Sequence, residues 1–128
     1  MRFMMMVYGT ADYENGTPPP PELMQAIAAL GEKARKAGRM IMEGGLKPAR
    51  ASARIRMKGG KRSVVDGPFA ETKELVGGFA IMELGSMEEA KASAQEFLDA
   101  HEKAGIRDLT MDIRPLFGPE DFGACPAS

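Results

Sequence analysis

Residues 76–98 read VGGFAIMELGSMEEAKASAQEFL and place a predicted strand directly before a predicted helix. From Val76 to Leu84 apolar side chains point to both sides, a pattern that indicates a strand covered on both faces. Ser86 with Glu89 three residues later forms a capping box, which is a signature of a helix N-terminus. The helix is therefore predicted to run from Met87 to about Lys103.

Strand and helix patterns recur on both sides of this stretch. Apolar residues at helical spacing predict a first helix over Glu22–Ala37, and Gly9 to Pro21 is predicted to be a loop. Further strands are predicted at Arg2–Tyr8, Arg39–Glu43, Ser52–Met57, Lys61–Val65 and Leu109–Arg114. The order is that of an α+β, ferredoxin-like split βαβ plan with an extra β-hairpin, in which both helices cover one sheet face.

Length and composition favour one small domain, with residues 1–123 as the domain and residues 124–128 as a C-terminal tail. The net charge of -1 and the absence of an outstanding basic stretch argue against a nucleic-acid partner. No apolar run approaches the length of a membrane span, so no membrane association is expected. The single thiol, Cys125, cannot form an internal disulfide, which favours a reducing cytoplasm. No metal-ligand or nucleotide-binding spacing is present, so neither a metal nor a cofactor is expected.

The sheet face away from the helices needs a cover, because large exposed apolar patches are uncommon on monomers. A second copy packed face to face is the simplest cover, so a homodimer is predicted. We expect this contact to bury Met4, Met6 or Tyr8 together with Ala80, Met82 or Leu84.

Residues 65–74, VDGPFAETKE, followed by Gly77-Gly78-Phe79, form the most distinctive segment. They resemble the motif of DGPF-type members of the YCII-related family, and the likeness covers residues 2 to about 123. It extends to EGGLKP at residues 43–48, DIRP at residues 112–115 and EDFG at residues 120–123. The resemblance implies a ferredoxin-like domain that forms a dimeric α+β barrel.

The resemblance also bears on function. Most members of the family have no assigned activity. Relatives include dechlorinating or lactone-isomerising enzymes of aromatic degradation, in which a His–Asp pair is the proposed active site. Genes for DGPF proteins often lie beside those for extracytoplasmic-function sigma factors, which points to regulation or stress response.

Asp66 matches the family's aspartate and is the candidate catalytic residue. A carboxylate that is partly desolvated beside a pocket can abstract a proton. The structural alternative is that Asp66, placed before Gly67 and Pro68, accepts backbone N–H bonds and fixes the turn. The only histidine, His101, does not match the family's histidine by position and is expected to pack at the rim of the core on the helix side.

Candidate ligand-binding residues are Tyr8, Glu43, Phe69, Asp112 and Arg114. Asp112 and Arg114 share one face of the last strand, which is assigned to the sheet face away from the helices together with Glu43. An arginine there can clamp a carboxylate ligand with two hydrogen bonds. It can equally pair with Glu43, Asp112 or a partner subunit, so both interpretations stay open.

Three functions remain open from the sequence. The first is a dimeric module that binds a small molecule in a cleft near the DGPF loop and serves regulation. The second is a cofactor-free isomerase or lyase that uses Asp66 as general base. The third is a structural or interaction protein with a closed dimer cleft. An open cleft near Asp66 favours the first two.

Overall fold

The computed structural model describes residues 1–68 and 75–122, which contain six strands and three α-helices. The strands are β1 (Arg2–Tyr8), β2 (Met40–Gly45), β3 (Ala53–Lys58), β4 (Lys61–Asp66), β5 (Val76–Glu83) and β6 (Met111–Pro115). The helices are α1 (Ala11–Glu14), α2 (Pro21–Lys36) and α3 (Met87–Lys103), with short 3-10 turns at Ala49–Ala51 and Pro119–Phe122. None of the helices in these described ranges is long and apolar enough to cross a membrane.

Four strands form an antiparallel sheet in the order β2-β5-β1-β6, and β3 pairs only with β4. The protein is thus an α+β domain, and this strand order is compatible with the predicted ferredoxin-like plan. The sheet formed by the described residues is open rather than closed into a barrel.

The core lies between one sheet face and the two long helices. Its centre is Phe3 of β1, which is 0% exposed. The buried side chains around it come from both central strands and both helices: Met5, Ala34, Met82, Leu84, Ala90 and Ala94. Both helices therefore cover the same face of the sheet, as the two apolar stripes in the sequence predict.

The predicted capping box is present at the start of α3. The Ser86 hydroxyl accepts a hydrogen bond from the Glu89 backbone at 3.2 Å, and the Glu89 carboxylate accepts one from the Gly85 backbone at 2.8 Å. The first bond satisfies one of the backbone N–H groups that a helix start leaves without partners, and the second ties the residue before the cap to the first turn. The helix begins at Met87, as predicted.

Strand register shows which side chains share the open face, meaning the sheet face away from the helices. Residues directly opposite each other in paired strands point to the same side. Phe3 lies opposite Met82, and Met5 lies opposite Ala80. The expectation that Ala80, Met82 and Leu84 point away from the helices is therefore wrong. The open face instead carries Met4, Met6, Met42, Phe79 and Ile81.

The β3–β4 hairpin projects from this body, and we refer to residues 53–66 as the arm. Every residue of its two strands except Arg54 is exposed. Ile55 lies opposite Val64 and Met57 opposite Arg62, so one face of the arm is mostly apolar. Ile55, Met57 and Val64 are 67–69% exposed, and the arm is therefore largely free of the body of its own chain.

Candidate functional site

A cavity of about 220 Å³ lies at the end of the sheet where β1 and β2 finish and β5 begins. Five separate segments contribute its wall: the end of β1, α1, the residues after β2, the first 3-10 turn and the start of β5. The lining residues are Gly9, Tyr13, Glu14, Leu46, Lys47, Ala49, Ser52, Leu75, Val76 and Gly77.

Backbone hydrogen bonds hold two of these segments against β5. The Gly9 N–H donates to the carbonyl of Leu75 at 2.8 Å, and the Leu46 N–H donates to the carbonyl of Gly77 at 2.9 Å. A Cβ atom at Gly77 would lie only 3.2 Å from the Cα atom of Gly9. The two segments can approach each other this closely only because residue 77 is a glycine.

Helix α1 supplies two of the titratable side chains of the cavity wall, Tyr13 and Glu14. Burial, and next the negative charge of Glu14, raise the pKa of the Tyr13 phenol, although a hydrogen bond with the Leu46 backbone acts in the opposite direction. The Glu14 carboxylate accepts a hydrogen bond from the Ala49 N–H at 2.9 Å, which ties α1 to the 3-10 turn. Tyr13 therefore remains a neutral hydrogen-bond donor at physiological pH.

The predicted DGPF turn lies directly behind this cavity. The Gly67 N–H donates to the carbonyl of Ser52 at 2.8 Å, and a Cβ atom on Gly67 would overlap the carbonyl group of Ala49. Glycine at position 67 therefore lets the turn contact two residues that line the cavity. Of the predicted motif, Phe69 lies outside the described residues.

Asp66 ends β4 opposite Ala53, and its side chain is exposed. It is not among the residues that line the cavity. No donor in the described ranges, residues 1–68 and 75–122, hydrogen-bonds to its carboxylate. Whether Asp66 acts as a base or fixes the turn stays a prediction.

Two of the predicted ligand-binding residues meet on the open face, and their role in ligand binding stays a prediction. The Tyr8 hydroxyl donates a hydrogen bond to Oδ2 of Asp112 at 2.6 Å. Asp112 lies opposite Met6, and Arg114 lies opposite Met4, so both point away from the helices, and both are exposed. This group lies beside the cavity, since Tyr8 directly precedes Gly9.

Glu43 lies on the other side of the sheet, so its assignment to the face away from the helices is wrong. It lies opposite Ala80, and its carboxylate pairs with the guanidinium of Arg35 in α2. A Cβ atom at Gly31 of α2 would lie 2.9 Å from Glu43 Oε1. Glu43 therefore joins the edge strand to a helix and does not belong to a group with Asp112 and Arg114.

His101 lies on the helix side, as predicted. It is 7% exposed, its Nδ1 lies 2.9 Å from the carbonyl oxygen of Phe97, and the two rings are 4.5 Å apart. It lines a separate surface depression of about 310 Å³ beside the end of α3. His101 therefore serves packing, and the structure does not bring it together with Asp66.

To bind a metal ion, several side chains in the described part of the chain would have to lie close together. No group of three or more histidine, cysteine, aspartate or glutamate side chains there could hold an ion.

The sequence interpretation missed Tyr13 and Glu14, because both fall within the predicted loop from Gly9 to Pro21. The available signal was Thr10, an N-cap residue followed by an acidic residue in the next turn. Its hydroxyl accepts a hydrogen bond from the Tyr13 N–H at 3.2 Å.

A family model for the YCII-related domain matches residues 1–106, which include every segment of the cavity wall. The chain belongs to the YCII-related family. It is also 34% identical, over 94 residues, to an uncharacterized protein of Rhizobium meliloti (strain 1021), and the match covers 73% of each chain. The function of this YCII-related domain must therefore be argued from its own geometry, and membership of the DGPF group stays a prediction.

Proposed function

We propose that this YCII-related domain is a homodimeric binding module that takes up a small organic molecule in the cavity at the end of the sheet and serves regulation. The observation that supports this most is the cavity itself. Five segments form the wall of this open cavity, and the turn at Gly67 contacts two of its lining residues, Ser52 and Ala49.

The size and chemistry of the cavity suit a small, partly polar ligand. A volume of about 220 Å³ corresponds to roughly seven water molecules at about 30 Å³ each. Leu46, Leu75 and Val76 offer apolar contact, whereas the Tyr13 phenol and the Lys47 ammonium offer hydrogen-bond donors. A few polar groups in a mainly apolar wall are typical of small-molecule sites.

The positions of the candidate catalytic residues favour binding over turnover. A general base in an enzyme is usually desolvated and within reach of its substrate. Asp66 is exposed at the end of the arm, and His101 lines the other depression. The only histidine, His101, is therefore not brought together with Asp66 in this protomer.

The open face supports the homodimer. Met4, Met6, Phe79 and Ile81 form adjacent rows on the two central strands. Each is only partly buried within its own chain, and an apolar surface of this kind suits a partner. Strand β1 contributes to this face and continues into Gly9 at the cavity. A ligand in the cavity would therefore contact the residue that directly follows the strand of the dimer contact, which is the basis for a regulatory role.

Native mass spectrometry of the chain purified from its own host tests the binding proposal. We expect a small molecule to remain bound to the wild-type protein. Its retention should be reduced or lost in Tyr13→Phe, which removes one hydrogen-bond donor, and also in Gly9→Ala. The new methyl group of Gly9→Ala would lie 3.4 Å from Tyr13 Cδ1, so it narrows the cavity without overlap. Gln95→Ala, in the other depression, is the matched control and should retain the ligand.

Two results contradict the proposal. One is a wild-type chain that carries no small molecule after this purification. The other is equal ligand retention in the cavity variants and in Gln95→Ala.

A further inference from the structure

The arm combines an apolar face with a strong positive charge. It contains five cationic side chains and one carboxylate, a formal charge of +4, in a chain whose net charge is -1. The rest of the chain therefore carries -5. The cations are Arg54, Arg56, Lys58, Lys61 and Arg62.

The two faces of the arm differ in chemistry. Ile55 lies opposite Val64 on one face, whereas Arg56 lies opposite Ser63, and Lys58 opposite Lys61, on the other. The apolar face is 67–69% exposed at Ile55, Met57 and Val64, so the body of the same chain does not cover it. Exposed side chains of this kind on a projecting ribbon need a cover from another molecule.

We propose that the apolar face of the arm packs on the body of a second copy of this chain, beside the contact between the two open faces. This inference rests on the proposed homodimer and adds a surface to it. Each protomer then reaches around its partner, and the contact occurs twice across the two-fold axis.

Charge selects the partner's body over the partner's arm. Two arms packed on each other would bring together two charges of +4, and like charges side by side are unfavourable. An arm on the partner's body brings +4 against -5, so the attraction helps to orient the two chains. The basic face of each arm then stays in solvent.

The dimensions of the arm show that it supplements a larger contact. Strands of six residues are about 20 Å long, and two adjacent strands are about 10 Å wide, so one arm face covers roughly 200 Å². A stable interface needs about 800 Å² of accessible surface from each partner. The arm therefore acts together with the open face, where Met6 lies beside Phe79.

Adjacent valines in β4 provide a matched test. Val64 belongs to the apolar face and Val65 to the opposite face, next to Arg54. The double variant Ile55→Ser, Val64→Ser should raise the dimer Kd at least about tenfold in sedimentation equilibrium, because two buried apolar side chains are lost. Val65→Ser should change the dimer Kd by less than about threefold. Circular dichroism verifies that all variants retain the fold of the body.

Reversal of charge at the tip distinguishes the two possible arm contacts. Lys58→Glu with Lys61→Glu should weaken the dimer at low salt if the arm lies on the partner's body. A tighter dimer in this variant would show an arm-to-arm contact and would overturn the proposal. Binding of the wild-type arm to anionic lipid vesicles, with a dimer Kd that the Ile55→Ser, Val64→Ser variant does not change, would also overturn it.

The variant Met6→Ser tests the contact between the open faces separately from the arm contact. If Met6→Ser weakens a wild-type dimer and the double arm variant does not, the dimer stands and the arm contact is wrong. If wild-type protein sediments as a monomer at tens of micromolar, both are wrong.

Discussion

Two phenylalanines on opposite faces of the sheet provide a direct test of which face stabilises the single chain. Phe3 points toward the helices and is fully buried. Phe79 lies opposite Met6 on the open face and is only partly buried. We compare Phe3→Ala with Phe79→Ala, since the two changes delete the same atoms.

The expected magnitudes follow from burial. Phe3→Ala leaves a cavity among Ala34, Ala90 and Met82 and should lower the free energy of unfolding by about 3–5 kcal/mol. That is a large part of the about 5–15 kcal/mol typical of a domain. Phe79→Ala loses the transfer free energy of a partly exposed ring, so about 1 kcal/mol is expected in the monomer.

Urea unfolding at two protein concentrations, differing by about a hundredfold, separates the two effects. Phe3→Ala should lower the midpoint by a similar amount at both concentrations. The loss for Phe79→Ala should grow with concentration, because association stabilises the folded wild type by mass action. The reasoning is refuted if Phe79→Ala costs as much as Phe3→Ala at the lower concentration, or if Phe3→Ala costs less than about 1.5 kcal/mol.

Two further predictions concern the cavity. Because the pKa of Tyr13 is raised above its ordinary value of 10.0 in the folded state, the stability that this ionisation equilibrium contributes is complete below pH 10.0 and is lost as the pH rises through the folded pKa. The difference in melting temperature between wild type and Tyr13→Phe should therefore be constant below that pH and shift against the wild type above it, and a difference that stays constant above pH 10.0 contradicts the partly buried phenol. Gly67→Ala should lower the free energy of unfolding by about 1–3 kcal/mol in urea, since its methyl group would overlap the Ala49 carbonyl. The control Gly45→Ala has open space around the new atom and should lower the free energy of unfolding much less.

The sequence predicted the elements well but not which face of each strand meets the helices. In β1 and β5 both faces are apolar, so alternation shows that two faces exist without showing which one is covered. Pairing settles it, because Phe3 lies opposite Met82. No local pattern contains that long-range register.

Glu43 shows a second limit of strand patterns. Strict alternation from Met40 would place Glu43 on the face away from the helices. The register shifts between Met40 and Met42, and an irregularity of this kind turns every later side chain to the opposite face. Glu43 consequently meets Arg35 of α2.

The cavity was predictable only in its general place. The resemblance drew attention to the turn at residues 66–68, and that turn does contact the cavity wall at Ser52. Two polar residues of the wall, Tyr13 and Glu14, come from α1, whose four residues are too few to display a helical period. A site assembled from five short segments has no single motif in the sequence.

The pairing of Glu43 with Arg35 also affects whether a strand of another chain can add to the edge of the sheet. An edge strand with free backbone groups is a template on which another chain can add a strand. At one edge of the described sheet, β2 is irregular after Met40, is held to a helix by Glu43 and ends in two glycines. At the other edge, β6 carries Asp112 and Arg114 and ends at Pro115, which has no N–H to donate. Neither border of the four-stranded sheet therefore invites strand addition from a neighbouring chain.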